Sequence, residues 1–236
     1  ARYRGRPIGA HTECVSFSFY ANKNMTTGEG GMLTTSSEAL AKRIEVLRLH
    51  GMSKDAWKRY AAGGSRRYDV LEAGHKYNLG DVASAMGLHQ LKKLDGFIAR
   101  RAELVARYRA GLAHLPGLAF QAQPAAGRRA RHPHHLLVVR PSPARGPPAP
   151  DHAMAAIVKA HLLALAARKI ACSVHFIPVH TFTHYRERWP DQARDLPVTD
   201  RVADELLSLP LYPAMADADV DRVVDAMHEA FARGGR

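Results

Sequence analysis

The sequence predicts an α/β chain of two domains, and three observations carry that prediction. Two β-prone runs, Cys14 to Tyr20 and Gly31 to Thr35, flank a glycine-rich turn. A long helical pattern from about Lys92 to Leu115 stops at Pro116-Gly117, where such a helix can join one domain to the next. Beyond it, strand-like and helix-like segments interleave, the pattern of a small α+β domain. The boundary therefore falls there, with residues 1–115 in the first domain and 116–236 in the second.

The elements follow in order. Cys14 to Tyr20 mixes valine, phenylalanine and serine as a half-buried strand does, and Gly31 to Thr35 is its hairpin-like partner. Ser36 or Ser37 then offers a hydroxyl cap to a helix from Glu38 to about Leu49. Residues 51–67, rich in glycine and charge, read as an irregular loop. Asp81 is placed to cap a helix in which Val82, Ala85, Met86, Leu88 and His89 fall near one face. The Lys92 to Leu115 helix is expected as a separate element, with Leu94, Phe97, Ile98, Leu104, Val105, Tyr108 and Leu112 as its apolar stripe.

In the second domain, His135 to Arg140 reads as a strand, with His134-His135 as a structural lead-in. The proline-rich stretch 141–150 cannot sustain a ladder and reads as a loop. A helix is predicted from Asp151 to about Arg168, a strand from Ile170 to Phe176 and a loop from Tyr185 to Pro197. Helices follow at about Asp200 to Leu207 and Asp217 to Arg233.

Composition narrows the class. The 236 residues are 46% hydrophobic, enough for a buried core, and contain no run of eighteen apolar residues. The basic start, Ala1 to Pro7, lacks the apolar stretch of a signal peptide, which points to a cytoplasmic protein without membrane association. Two cysteines, Cys14 and Cys172, are too few for a disulfide framework. The net charge of +12 could draw nucleic acid, but the arginines are scattered, several sit beside acids, and no aromatic-basic recognition motif accompanies them. No nucleic-acid partner is expected, and the same charge suits a diphosphate-bearing small molecule.

Lys23 is the most informative residue. It stands between an apolar, β-prone run and the turn Gly28-Glu29-Gly30-Gly31, where an amine can be partly desolvated and made nucleophilic towards a carbonyl. The glycine spacing fits neither a Walker loop nor a dinucleotide fingerprint, so the glycines serve a tight turn. His175, His180 and His184 could be imagined as a metal set, but no acidic or cysteine ligand stands close by in sequence, and no metal is expected.

Four blocks in order carry a resemblance: Ser16 to Met32 around Lys23, Leu47 to Trp57, His75 to Asp81 with Gly87-Leu88-His89-Gln90-Leu91, and the late segments Ser173 to His180 and Leu207 to Pro213. They resemble the nucleotide-sugar aminotransferases of the DegT/DnrJ/StrS type. The resemblance implies part of a type I aminotransferase large domain followed by the smaller α+β domain, with about the first two fifths of the family pattern lying ahead of this match. It implies pyridoxal 5'-phosphate as cofactor, a nucleotide-linked keto-sugar as substrate and glutamate as amino donor. The product would be an amino-sugar for a cell-surface polysaccharide or a secondary metabolite. The retained lysine argues against the family's dehydratase branch, where histidine replaces it.

Residue by residue, the resemblance makes Lys23 the Schiff-base lysine and the group that moves protons. Ser18 becomes a hydroxyl donor to the cofactor phosphate, which requires the chain to bend between two strand positions an odd number apart. Asn78 would extend into the neighbouring subunit's site, so a homodimer is implied. Its rival role is a helix cap. His175 and Tyr185 fall where the family contacts the sugar. A second expectation, of a different class, is a non-catalytic remnant or assembly partner of such an enzyme.

Overall fold

A computed structural model describes residues 1–53, 68–122, 129–141, 151–191 and 196–234. Residues 54–67 of the expected loop, 142–150 of the proline-rich stretch and 192–195 of the loop before Pro197 lie outside the described residues. The chain divides into two units, Ala1–Asp95 with Ala126–His132, and Gly96–Ala125 with Pro133–Arg236.

In the first unit, β1 (Arg2–Tyr3) and β2 (Arg6–Pro7) form a short antiparallel pair that the sequence reading did not foresee. β3 (Cys14–Ser18) and β4 (Gly31–Thr35) form the expected hairpin, in register from Cys14 opposite Thr35 to Ser18 opposite Gly31. Helix α1 (Glu38–Leu47) starts at Ser37, whose hydroxyl accepts from the Leu40 N–H at 3.3 Å.

After α1 the chain runs against residues 69–77. His50 N–H donates to His75 O at 2.9 Å, His75 N–H to Leu47 O at 2.7 Å and Leu71 N–H to Gly51 O at 2.8 Å. The crossing is close enough to demand glycine on both sides. A Cβ on Gly51, whose φ is +71°, would lie 1.7 Å from Glu72 O, and one on Gly74 would lie 2.0 Å from Gly51 N.

Helix α2 runs unbroken from Asp81 to Gly111, where two helices were expected. Nothing between Leu88 and Lys92 can interrupt it, since Gln90 and Leu91 are good helix formers. Asp81 is its first helical residue and not its cap, because the Ser84 N–H bonds to Gly80 O at 2.9 Å. It also stops short of Leu115, as the chain tightens after Gly111 with Leu115 N–H donating to Leu112 O at 3.2 Å. The division between the units falls inside α2, after Asp95.

In the second unit, β5 (Leu118–Phe120), β6 (Leu137–Pro141) and β7 (Leu207–Leu209) form an antiparallel sheet in that order. With them come α3 (Asp151–Ala167), a 3-10 turn at Val179–Thr181, α4 (Thr183–Arg188), α5 (Pro197–Asp204) and α6 (Asp217–Gly234). The core joins the C-terminal half of α2 to this sheet and to α6. Leu104, Tyr108, Val139, Leu165, Leu207, Val220 and Met227 are all completely buried there. Burial of such side chains contributes roughly 1.5–3 kcal/mol each.

Residues 170–176 make a single bridge, Ser173 to Ser208, and no strand, because β7 offers only three residues to pair with. Leu207 belongs to β7 and not to a helix, since α5 starts earlier at Pro197 and Pro210 cannot continue a helix. The expected loop at Tyr185 begins as α4, where Tyr185 and Trp189, four apart, stack with centroids 5.8 Å apart. Among the described residues no helix is long and apolar enough to cross a membrane.

Candidate cofactor and substrate site

Lys23 sits on a loop that the hairpin closes tightly. Beyond the β3–β4 ladder, Phe19 N–H donates to Gly30 O at 2.8 Å, and Phe19 O accepts from Thr27 N–H at 3.0 Å and from Thr26 Oγ1 at 3.1 Å. Thr27 Oγ1 in turn donates to Glu29 O at 2.7 Å. Within this frame the chain turns at Tyr20, whose carbonyl accepts from Lys23 N–H at 3.0 Å. Two threonines thus lock the loop through side-chain to backbone bonds.

The loop is seated on the segment that carries Asn78. A Cβ on Gly30 would lie 2.4 Å from Thr27 Oγ1 and 3.0 Å from Leu79 Cδ1, so Gly30 is what lets these pieces meet. On the other side Gly87 of α2 faces Thr27 Cγ2 and Met25 Cε. Thr27 and Phe19 are buried beneath, at 6% and 8% exposure, while Lys23 itself is half-buried. Lys23 makes no ion pair with any described residue.

Ser18 ends β3, exposed, with its Oγ accepting from Tyr20 N–H at 3.3 Å, which leaves its own proton available to an anion. Asn78 is half-buried, and its Oδ1 accepts from the Lys76 ammonium, which leaves the amide N–H pair as donors. Ser18, Lys23 and Asn78 all belong to the first unit. His175 and Tyr185 belong to the second.

His175 Nδ1 lies 2.8 Å from Ser208 Oγ on β7. Tyr185 is 42% exposed on α4 against Trp189 and His184. A cavity of about 510 Å³ is lined by Val174 and Phe176, the chain neighbours of His175, by Val158 and Leu162 of α3, and by Asp200 and Asp204 of α5. Thr181 also lines it, and with two carboxylates on a mostly apolar wall and no lysine or arginine in its lining, this cavity does not suit a diphosphate. His175, His180 and His184 take three different partners: Ser208, Asp200 at 2.6 Å, and the Tyr185–Trp189 stack. Among the described residues no group of three or more His, Cys, Asp or Glu could hold a metal ion.

The sequence reading missed Thr26, Thr27 and Ser208. The Thr-Thr pair ahead of the glycines was a legible turn signal. Ser208 carried none, since its partner lies thirty-three residues away.

The model of the DegT/DnrJ/EryC1/StrS aminotransferase family matches residues 1–228. The chain belongs to that family. It is 42% identical over 229 residues to the spore coat polysaccharide biosynthesis protein SpsC of Bacillus subtilis, a match that covers 96% of the chain and 56% of the relative. The aminotransferase TlmJ from Streptoalloteichus hindustanus superposes with a TM-score of 0.81 at 28% identity, covering 98% of this chain and 56% of that one. The PLP-form of the sugar aminotransferase Spr1654 from Streptococcus pneumoniae, described as putative, gives 0.78 at 27% identity, covering 98% and 55%. The chain thus spans little more than half the length of the proteins it matches.

Members of this family depend on pyridoxal phosphate, and the residues here fit that group. The half-buried Lys23 amine has no carboxylate partner among the described residues, and it sits on a braced turn. Ser18 at the head of the same turn keeps a hydroxyl proton to donate.

Proposed function

We propose that this chain carries the lysine-bearing part of an aminotransferase that converts a nucleotide-linked keto-sugar to an amino-sugar, with glutamate as donor. The braced Lys23 loop is the observation that supports this most directly. Pyridoxal phosphate supplies an aldehyde that condenses with amines and a ring that accepts electrons from the adjacent carbon. Lys23 Nζ is the amine that would hold the aldehyde, and it would serve as the general base and acid that moves a proton at the reacting carbons. Ser18 Oγ and the Asn78 amide donate to its phosphate, Asn78 from the partner copy in a homodimer. His175 and Tyr185 contact the sugar. The functional division is a cofactor part over 1–115 and a terminal part over 116–236.

The test is direct. The purified chain, incubated with pyridoxal phosphate and reduced with borohydride, should carry the label on Lys23 by peptide mass. Lys23→Ala should lose both the label and the visible absorption band. Labelling spread over surface lysines, with Lys23 unmodified, would sink the enzyme reading.

One observation favours a second reading, an assembly partner that needs another polypeptide. Among the described residues of the first unit, Phe19 is the sole buried hydrophobic residue. Phe17, Tyr20, Met32, Val82, Met86 and Leu88 of the same unit are exposed. A two-stranded hairpin without a covered face is marginal in water. Strong binding of an apolar dye by the chain alone, lost on adding a complementing partner, would favour this second reading.

A further inference from the structure

We infer that Ser208 is a positioning residue for His175, fixing its neutral ring as the Nε2–H tautomer so that it presents a donor to an acceptor oxygen of the sugar substrate. This rests on the reading of His175 as a sugar contact and adds to it the atom and the polarity.

Ser208 is the middle residue of β7, opposite Val138 of β6, and only 4% exposed. Its backbone is spent: Ser208 N–H donates to Ser173 O at 2.7 Å, and its carbonyl accepts from Ser173 N–H at 3.2 Å. Its side chain has one hydrogen-bond partner among the described residues, His175 Nδ1 at 2.8 Å. A buried hydroxyl has one proton to place, and leaving it without an acceptor is costly. The proton therefore goes to Nδ1, which must be the unprotonated ring nitrogen, and the ring's own hydrogen then sits on Nε2. The opposite arrangement, Nδ1–H donating to Oγ, would strand the Ser208 proton in the core.

The local backbone makes the arrangement rigid. The Ser173–Ser208 bridge holds the chain two residues before His175 against the sheet. On the far side of Ser208, Pro210 O accepts from Tyr108 and Leu211 O from Arg101, so β7 is clamped to α2. A donor held this way recognises a hydroxyl, carbonyl or phosphate oxygen and cannot accept from a substrate N–H.

The experiment is a two-bond ¹H–¹⁵N correlation spectrum of the histidine rings in the full chain near pH 8, with His175 assigned by its loss in His175→Gln. The Nε2–H pattern is expected for His175 in the unsubstituted chain. Ser208→Ala should convert it to the averaged pattern of a free imidazole, and Ser208→Thr, which keeps the hydroxyl, should restore it. An Nδ1–H pattern, or one that Ser208→Ala leaves unchanged, overturns the inference. Titration with UDP-glucose separates the two layers. A His175 that keeps its Ser208-dependent tautomer yet ignores the nucleotide sugar refutes the sugar-contact reading, and with it the donor's purpose, while its tautomer stands. A shift of its Nε2–H signal supports both.

Discussion

The Tyr108 hydroxyl donates to the carbonyl of Pro210 at 3.0 Å, reaching from the completely buried face of α2 to the residue that follows β7. Arg101, about two turns earlier on the same side of the helix and 5% exposed, donates to the carbonyls of Leu211, His134 and His135. Two polar side chains on one helix thus fasten the end of the small sheet where Leu137 of β6 pairs with Leu209 of β7. Tyr108→Phe leaves the Pro210 carbonyl without that donor and should cost about 1–2 kcal/mol in urea unfolding near pH 7.

Burial also holds the Tyr108 phenol well above its usual range. Its folded pKa exceeds the unfolded one, so between the two the folded state keeps a proton that the unfolded state has lost. The stability this group contributes is whole below pH 10 and declines as pH rises beyond it. The unfolding midpoint of the native chain should therefore fall above pH 10, and Tyr108→Phe should flatten part of that fall.

Gly51→Ala tests the crossing that closes residues 48–77. Its Cβ would stand 1.7 Å from a backbone oxygen at a φ of +71°, and backbone cannot step aside as a flexible side chain can. The two segments must part, a local loss on the order of 3 kcal/mol. Amide exchange should report it first at Leu71 and His75, whose N–H groups bond across the crossing. Unchanged protection there would mean that the crossing does not depend on glycine.

How much of this was legible in the sequence differs by residue. The Lys23 hairpin and the Leu104, Val105, Tyr108, Leu112 stripe were readable because both are local and periodic, and that stripe is buried at 4% exposure or less. The continuity of α2 through Gln90-Leu91 was misread because two apolar faces were taken for two helices. β7 was hidden inside a helical pattern, since three residues cannot show a period against Leu and Ser, which suit either state. What placed it is tertiary: Val139 and Leu207 paired across the sheet, both completely buried. The His175–Ser208 contact depends on that same pairing and was illegible for the same reason.

Arg107 and Asp221 offer an acid-side test. The guanidinium donates through Nε to Oδ1 at 2.7 Å and through Nη2 to Oδ2 at 2.5 Å, joining α2 to α6. The hydrogen bond from Arg107 holds the Asp221 carboxyl below its usual range. A depressed carboxylate stabilises above its unfolded pKa, and that contribution disappears as pH falls through the folded value. Asp221→Asn should lower the melting temperature slightly at pH 7 in low salt. The difference from the native chain should close both at strongly acid pH and in 1 M salt, because the pair is solvent-exposed and screened.

The two thiols should separate by chemistry. Cys14 lies exposed on β3, whereas Cys172 packs against the core of the second unit, where burial pushes its thiol up to about 11. Only the thiolate attacks an alkylating reagent. Relative to a thiol of pKa 9.0, one at about 11 holds roughly a hundredfold less thiolate at pH 8, and restricted access slows it further. Iodoacetamide at pH 8 should therefore modify Cys14 first and leave Cys172 largely intact. The Cys172 rate should climb about tenfold per pH unit until it levels near 11. Equal rates at pH 8 in the native chain, with the difference absent in urea as well, would mean that the segment between α3 and the Ser173 bridge is not packed as described. A difference that vanishes only on unfolding assigns it to the core around Ile170 and Leu165, whose side chains are 5% and 0% exposed.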